Sequence, residues 1–318
     1  MCNFFVISFL ESVLDSSEGH RSRGSVTLSE LFRNAGFYNN NMKTCFNTIT
    51  AGREKALEDI ISRCGQVGFD ALEIDQNHIA DSLKRISINE LRSRIEEAGL
   101  KAASIMAFNL APFDDPGPGI AKIKEGVRFA QDLGAPLLLV FCAANIPKGM
   151  SSDEAHERAA ERAANYAEVA NPLAIGLEPI GRTTLMGGPV AALDIAARSR
   201  KSNVGIVMDT FHFYRSQVSD EEVRTIPPEK LLLVHINDAE DLPVEQLRDA
   251  HRLHVGRGVL PLLGTLETLN GIGYTGFLSI EIFREEYWRQ PVEQVVREAK
   301  TSLDSMLNKA GIILGLDR

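Results

Sequence analysis

Leu137-Leu138-Leu139-Val140-Phe141 is an unbroken apolar run of strand length, and Gly134 just before it closes a helical pattern over 120–133. A strand with one wet face alternates apolar and polar residues. Five apolar residues in a row call for apolar surroundings on both faces, as in a parallel sheet covered by helices. Working outward from this stretch, the same unit recurs from Met42 onward. Strand-like runs fall at 44–49, 71–74, 102–108, 137–141, 173–177, 204–208, 231–236 and 277–280. Helical periodicity occupies 53–67, 88–98, 120–133, a stretch opening at Ser151, 189–199 and finally 292–307. Gly99 and Gly134 read as helix C-caps, and Ser151-Ser152-Asp153-Glu154 as an N-cap with an acidic first turn. Eight strand–helix units of about 35 residues predict an α/β chain folded as a (β/α)8 TIM barrel. The rival, a doubly wound open sheet, would carry a Gly-rich phosphate loop after an early strand, and the sequence has none.

The 318 residues suffice for one large core, and 44% apolar with 24% charged residues is the balance of a soluble globular protein. A net charge of −9 weighs against nucleic acid as a partner, because phosphate binding needs an excess of Lys and Arg. Cys2, Cys45, Cys64 and Cys142 form no CxxC pair, so free thiols and a cytoplasmic compartment are expected. The apolar run Phe4–Leu10 lacks a basic leader and a cleavage site and is too short to span a bilayer, so no membrane association is expected. Residues 1–41 are rich in Ser, Asn, Gly and charge. They are expected to be an N-terminal extension, poorly ordered or the product of a misassigned start, ahead of a barrel domain over 42–318.

Four late strands end alike, an apolar run broken by one side chain able to bind a metal: Glu178, Asp209, His235 and Glu281. Each alone has an ordinary explanation. Glu178 before Pro179 marks a strand end, Asp209 before Thr210 is a helix N-cap, His235 is a satisfied core histidine, and Glu281 pairs with Arg284. Together those explanations do worse. Strand C-termini share one rim of a barrel, so the four would converge, and three close carboxylates repel unless a cation joins them. Three carboxylates and one imidazole suit one divalent metal ion, Mn²⁺, Mg²⁺, Co²⁺ or Zn²⁺.

The chain resembles the xylose isomerase-like barrel superfamily of sugar isomerases and epimerases. The resemblance is carried by Cys45-Phe46-Asn47, by Gly205 through Asp209-Thr210-Phe211-His212-Phe213, by His235-Ile236-Asn237-Asp238 through Pro243, and by Ser279-Ile280-Glu281 through Tyr287. Within that family it runs to enzymes that shift the ketone of a keto-inositol, with a polyol ketone as the small-molecule partner. The resemblance implies that Glu178, Asp209, His235 and Glu281 hold the metal, that Glu178 and Glu281 double as catalytic acid and base, and that His212 and Arg252 touch substrate oxygens. It also leaves homo-oligomerisation through the barrel helices open. The chain departs from the family at Val255-Gly256-Arg257-Gly258 and at Gly181-Arg182, both expected to border the pocket.

Such a site implies proton abstraction next to a carbonyl, with the ion stabilising the enediolate, by Glu178 or Glu281. Returning the proton to the neighbouring carbon isomerises; returning it to the opposite face epimerises. A ketose 3-epimerase, or a dehydratase acting on an inosose or dehydroshikimate, is therefore the alternative on the same barrel. His212 is read as a donor to a substrate oxygen or as a helix-start packing residue, and Arg252 as a substrate contact or a solvated loop residue. Asn47, with Glu73 and Asn109, is a further candidate for binding hydroxyls. Phe108, Phe141, Phe211, Phe213, Tyr214 and Trp288 are placed near the rim. No residue stands out as a phosphate clamp, which favours a non-phosphorylated substrate. A multi-zinc apurinic endonuclease would need more histidines on strand ends than the seven here supply. A non-catalytic barrel would be marked by a lost ligand, and all four are present.

Overall fold

Parallel strands hydrogen-bond side by side until the first meets the last, so the main sheet has no open edge. The computed structural model describes residues 42–312; the extension expected at 1–41 lies outside them. The strands are β1 (Lys43–Asn47), β2 (Ala71–Asp75), β3 (Lys101–Asn109), β4 (Leu137–Cys142), β5 (Ala174–Pro179), β6 (Val204–Asp209) and β7 (Leu231–Ile236). A small antiparallel ribbon follows, β8 (Asp238–Ala239) with β9 (Arg252–Leu253), and β10 (Phe277–Ile280) then closes the barrel between β7 and β1. This is the (β/α)8 architecture that the strand spacing predicts.

Helices cover the outside: α1 (Leu57–Val67), α2 (Gln76–Ser82), α3 (Ile88–Glu97), α4 (Pro116–Leu133), α5 (Ser152–Ala170) and α6 (Pro189–Arg198). Short helices α7 (Thr210–Arg215) and α8 (Asp220–Arg224) come next, then α9 (Leu262–Gly271), α10 (Glu285–Trp288) and α11 (Val292–Lys309). α4 begins four residues before the periodic segment. Asp115 accepts from Gly117 N at 3.0 Å, and Pro116 fills a position whose N–H has no helical partner anyway. α9 is missing from the sequence reading because Gly264, Thr265, Thr268 and Asn270 are weak helix formers that blur its period. Among the described residues no helix is long and apolar enough to cross a membrane.

The run that opens the sequence reading shows why it had to be apolar throughout. Leu137 and Leu139 point into the barrel beside Cys45, Ala71, Met106, Val207 and Leu233, whereas Leu138 and Val140 pack outward under the helices. The interior is tight: a Cβ at Gly176 would lie 2.8 Å from Val207 Cγ2. α11 seals the outer layer with buried Val295, Val296, Ala299, Leu303 and Leu307. Cutting one such leucine to alanine would cost about 2–5 kcal/mol.

Candidate metal centre

Strand alternation aims the polar residues. Because side chains alternate faces, the inward row that holds Val207 on β6 continues to Asp209, and the row that holds Leu233 on β7 continues to His235. Gly176 leads in the same way to Glu178, and Ser279 to Glu281. Register sets the heights: Asp209 lies opposite His235, His235 opposite Ser279, and Asn47 opposite Glu73. Glu178, Asp209, His235 and Glu281 therefore meet at the C-terminal mouth, each buried, with one ligand atom apiece all within 4.8 Å of one another.

His235 Nδ1 is 2.9 Å from Glu178 Oε1, 3.2 Å from Glu281 Oε2 and 3.7 Å from Asp209 Oδ2. Ligand atoms about 2.1 Å from a shared ion sit roughly 3.0–3.5 Å from each other, so the spacing fits a single cation. Electrostatics agree. Burial pushes the Glu178 carboxyl up to about 7, with Glu281 and Asp209 adding repulsion, and burial likewise raises Glu281. Burial disfavours a charged His235, yet the surrounding Glu281, Glu73 and Glu178 raise it well above the usual range. The cluster is drawing positive charge onto whatever group can carry it. A divalent ion with Arg252 would balance the three carboxylates.

Two of the ordinary readings resolve in unexpected ways. Asp209 is an N-cap after all: Oδ1 accepts from Phe211 N at 2.8 Å, and Asn237 Nδ2 donates to it at 3.2 Å. Its Oδ2 faces the cluster, 3.7 Å from His235 Nδ1, so the cap leaves one oxygen open to a ligand role. Glu281 does not pair with Arg284, which is bound to Glu240 at 2.6 Å and to Glu286.

Arg252 is not a solvated loop residue. It is 1% exposed, and Nη1 lies 2.6 Å from Asp209 Oδ2 and 3.3 Å from Glu281 Oε2. Against the cost of burial, that guanidinium holds Asp209 well below the usual carboxylate range. The other face of Arg252 meets Asp249 at 3.0 Å and His212 Nε2 at 3.2 Å, with the Phe211 ring 4.7 Å from Cζ. Arginine only donates, so His212 Nε2 accepts and the ring hydrogen resides on Nδ1. Burial keeps His212 neutral, lowering it to about 4, and its Nδ1 has no partner among the described residues.

Asn47 and Glu73 lie beneath the cluster rather than at its mouth, both fully buried. Asn47 Nδ2 donates to Glu73 Oε2 at 3.0 Å and Glu281 Oε1 at 3.1 Å. Glu73 also accepts from Ser104 Oγ, Ser279 Oγ and His235 Nε2, at 2.7, 2.7 and 2.9 Å. Asn109 is exposed and caps the following turn through Ala111 N. The sequence reading did not single out Ser104, Ser279 or Asn237, because serine or asparagine on a strand has no distinctive spacing.

Residues 61–306 match the family described as Xylose isomerase-like TIM barrel. The chain is 26% identical over 275 residues to the inosose isomerase of Bacillus velezensis, spanning 84% of this chain and 98% of that one. It is 27% identical over 275 residues to the inosose isomerase of Bacillus licheniformis, spanning 84% and 99%. Among solved structures it is similar to the IolI protein with a bound zinc atom, at a TM-score of 0.78 and 25% identity, covering 85% of this chain and 99% of that one.

Proposed function

The chain belongs to the xylose isomerase-like TIM barrel family, and from that premise we propose that it is a divalent-metal-dependent isomerase converting 2-keto-myo-inositol, or a close polyol ketone, into a neighbouring keto isomer. The observation that carries this reading is the meeting of Glu178, Asp209, His235 and Glu281 within 4.8 Å at the strand C-termini. Similarity to the two inosose isomerases over most of the chain points the same way.

Held by Glu178, Asp209, His235 and Glu281, the ion would polarise the ketone and offset the negative charge that develops on its oxygen. The remaining work belongs to side chains. Glu178 Oε1 and Glu281 Oε2 lie 2.9 and 3.2 Å from His235 Nδ1; one takes the proton from the carbinol carbon, a carboxyl returns it to the former carbonyl carbon, and the hydroxyl proton passes to the former ketone oxygen. His212 Nδ1–H is free to donate to a substrate oxygen, with its tautomer fixed by Arg252. Arg252 pairs with Asp209 and Glu281, holding Asp209 anionic and offsetting part of the upward push that burial gives Glu281. Asn47 and Glu73 hold Glu281 and His235 from below, as positioning residues.

Incubation with 2-keto-myo-inositol, with and without added Mn²⁺, followed by NMR, tests the reading. A second keto-inositol formed only with metal supports it. An epimer or an eliminated diketone would reassign the chain to an epimerase or a dehydratase on the same barrel. No turnover by protein shown to carry metal would remove the inosose assignment.

A further inference from the structure

Arg215, the last residue of α7, is half-buried; its Nε is shielded from water and has no acceptor among the described residues. No ion pair closes on its guanidinium there, and the Phe211 ring lies 5.6 Å from its Cζ. Burial and the neighbouring Arg248, Arg182 and Arg252 act against its charge and outweigh the support from Asp249. An arginine cannot shed its proton in response. A withdrawn cation without a partner is costly, and a counter-ion relieves that cost.

The surroundings say where that counter-ion would sit. Arg215 lines a cleft of about 840 Å³ together with Arg182, Thr183, Ser216 and the first residues of α6. The loop bearing Arg182 is clamped against α7. Arg182 N donates to Ser216 Oγ at 2.9 Å, and a Cβ on Gly181 would fall 2.5 Å from His212 O. Arg182 has one distant acidic neighbour, Glu245 at 3.8 Å, and both side chains are largely in water, so that pair holds it weakly. The acids on the cleft wall are committed elsewhere: Asp194 to His156 and Arg198, and Glu222 to the cap at Ser219. The amino end of α6 has no side-chain cap, and Val190 and Ala191 of its first turn also line the cleft.

We propose that this cleft binds a small oxyanion of the phosphate class between Arg182 and Arg215. Arg215 stands three residues beyond His212 on α7, roughly 4.5 Å further along the helix axis at the backbone, on the same side of the helix. That spacing admits two sources: a phosphate carried by the polyol itself, or a separate phosphorylated molecule beside it. The site goes beyond the keto-inositol reading and does not depend on it. The sequence alone favours a non-phosphorylated substrate because nothing in it shows Arg182 and Arg215 sharing one cleft.

The test is calorimetric titration of the metal-loaded full chain with inorganic phosphate at constant ionic strength. Saturable one-site binding is expected, weakened at least tenfold in Arg215→Met and in Arg182→Met, partly kept in Arg215→Lys, and unchanged in Arg92→Met on the distant α3. Absence of saturable binding in the wild type, or equal binding in all the variants, overturns the proposal. If the anion is a separate effector, phosphate and 2-keto-myo-inositol bind together. If it is part of the substrate, phosphate competes with a phosphorylated polyol ketone, whose KM rises in Arg182→Met. Binding is read without turnover, so a chain inactive on keto-inositols that still takes up phosphate retains this site and loses only the isomerase reading.

Discussion

His235 and Glu73 are joined on the inner wall of the barrel, Nε2 to Oε2 at 2.9 Å with neither side chain exposed. The carboxylate accepts, so a hydrogen is on Nε2, and a bound cation would take the place of the second ring proton, on the Nδ1 that faces Glu178, Asp209 and Glu281. Glu73→Gln should weaken divalent-metal affinity by ~10–100-fold while the chain stays folded, with activity recovered in excess metal. Competition against a chelating dye reads the affinity directly. Wild-type affinity in this variant would strip Glu73 of its positioning role.

Arg252 is the buried counter-charge of Asp209 and Glu281. Arg252→Met leaves those carboxylates without it and should cost about 3–5 kcal/mol of stability. Urea denaturation measures the loss, and added metal should restore part of it. A change under 1 kcal/mol by the same method would show that water or another cation already serves the pair.

Binding to the native state alone stabilises by mass action, by about 2.7 kcal/mol at a free concentration one hundred times Kd. Chelator treatment should therefore lower the melting temperature, and Mn²⁺ or Zn²⁺ should raise it again. The quadruple neighbourhood of Glu178, Asp209, His235 and Glu281 predicts that His235→Ala abolishes this response. Superimposable melting curves for native and chelated wild type would argue against any resident ion.

Glu281→Gln keeps the volume and the Asn47 contact but removes a proton-transfer group. Turnover should fall by at least ~10²–10⁴-fold. Metal content must be measured on the same sample, since Glu281 is also a candidate ligand; normal metal with normal turnover would assign the chemistry to other groups.

His254 is fully buried, stacked on Tyr287 at 4.3 Å, and neither ring nitrogen has a partner among the described residues. Burial, reinforced by Arg257, lowers it from its ordinary 6.5 to about 4. The unfolded chain takes up this proton near 6.5 and the folded chain only near 4. Between those values the unfolded state binds more protons, so stability declines as pH falls through that window. The full effect is on the order of 3 kcal/mol. His254→Phe should preserve the stack and flatten the stability profile between pH 4.5 and 6.5; an unaltered slope would place the titration elsewhere.

Most of the architecture was legible because each barrel strand is a short apolar run and each helix carries its own period. The four convergent side chains were legible for a related reason: Glu178, Asp209, His235 and Glu281 each interrupt an apolar strand at its C-terminal end. Their supports were harder to read. Glu73 looks like any strand-end acid until the pairing of Asn47 with Glu73 and of His235 with Ser279 brings it under the imidazole. Arg252 is 43 residues from Asp209, in a loop that only the β8–β9 ribbon folds back over the site. Asp209 shows a different limit. Cap and ligand were weighed as alternatives, but a carboxylate has two oxygens and here each has its own task.

That division of labour would tie the helix to any ion held there. With Oδ1 gripping the amide of Phe211 and Oδ2 turned toward the cluster, any shift of the carboxylate on binding a cation would be passed to the first turn of α7, and so to His212 and, one turn on, to Arg215. Were Asp209 to hold a cation, loading of the centre and alignment of the groups on α7 would be a single mechanical event, geared through one side chain.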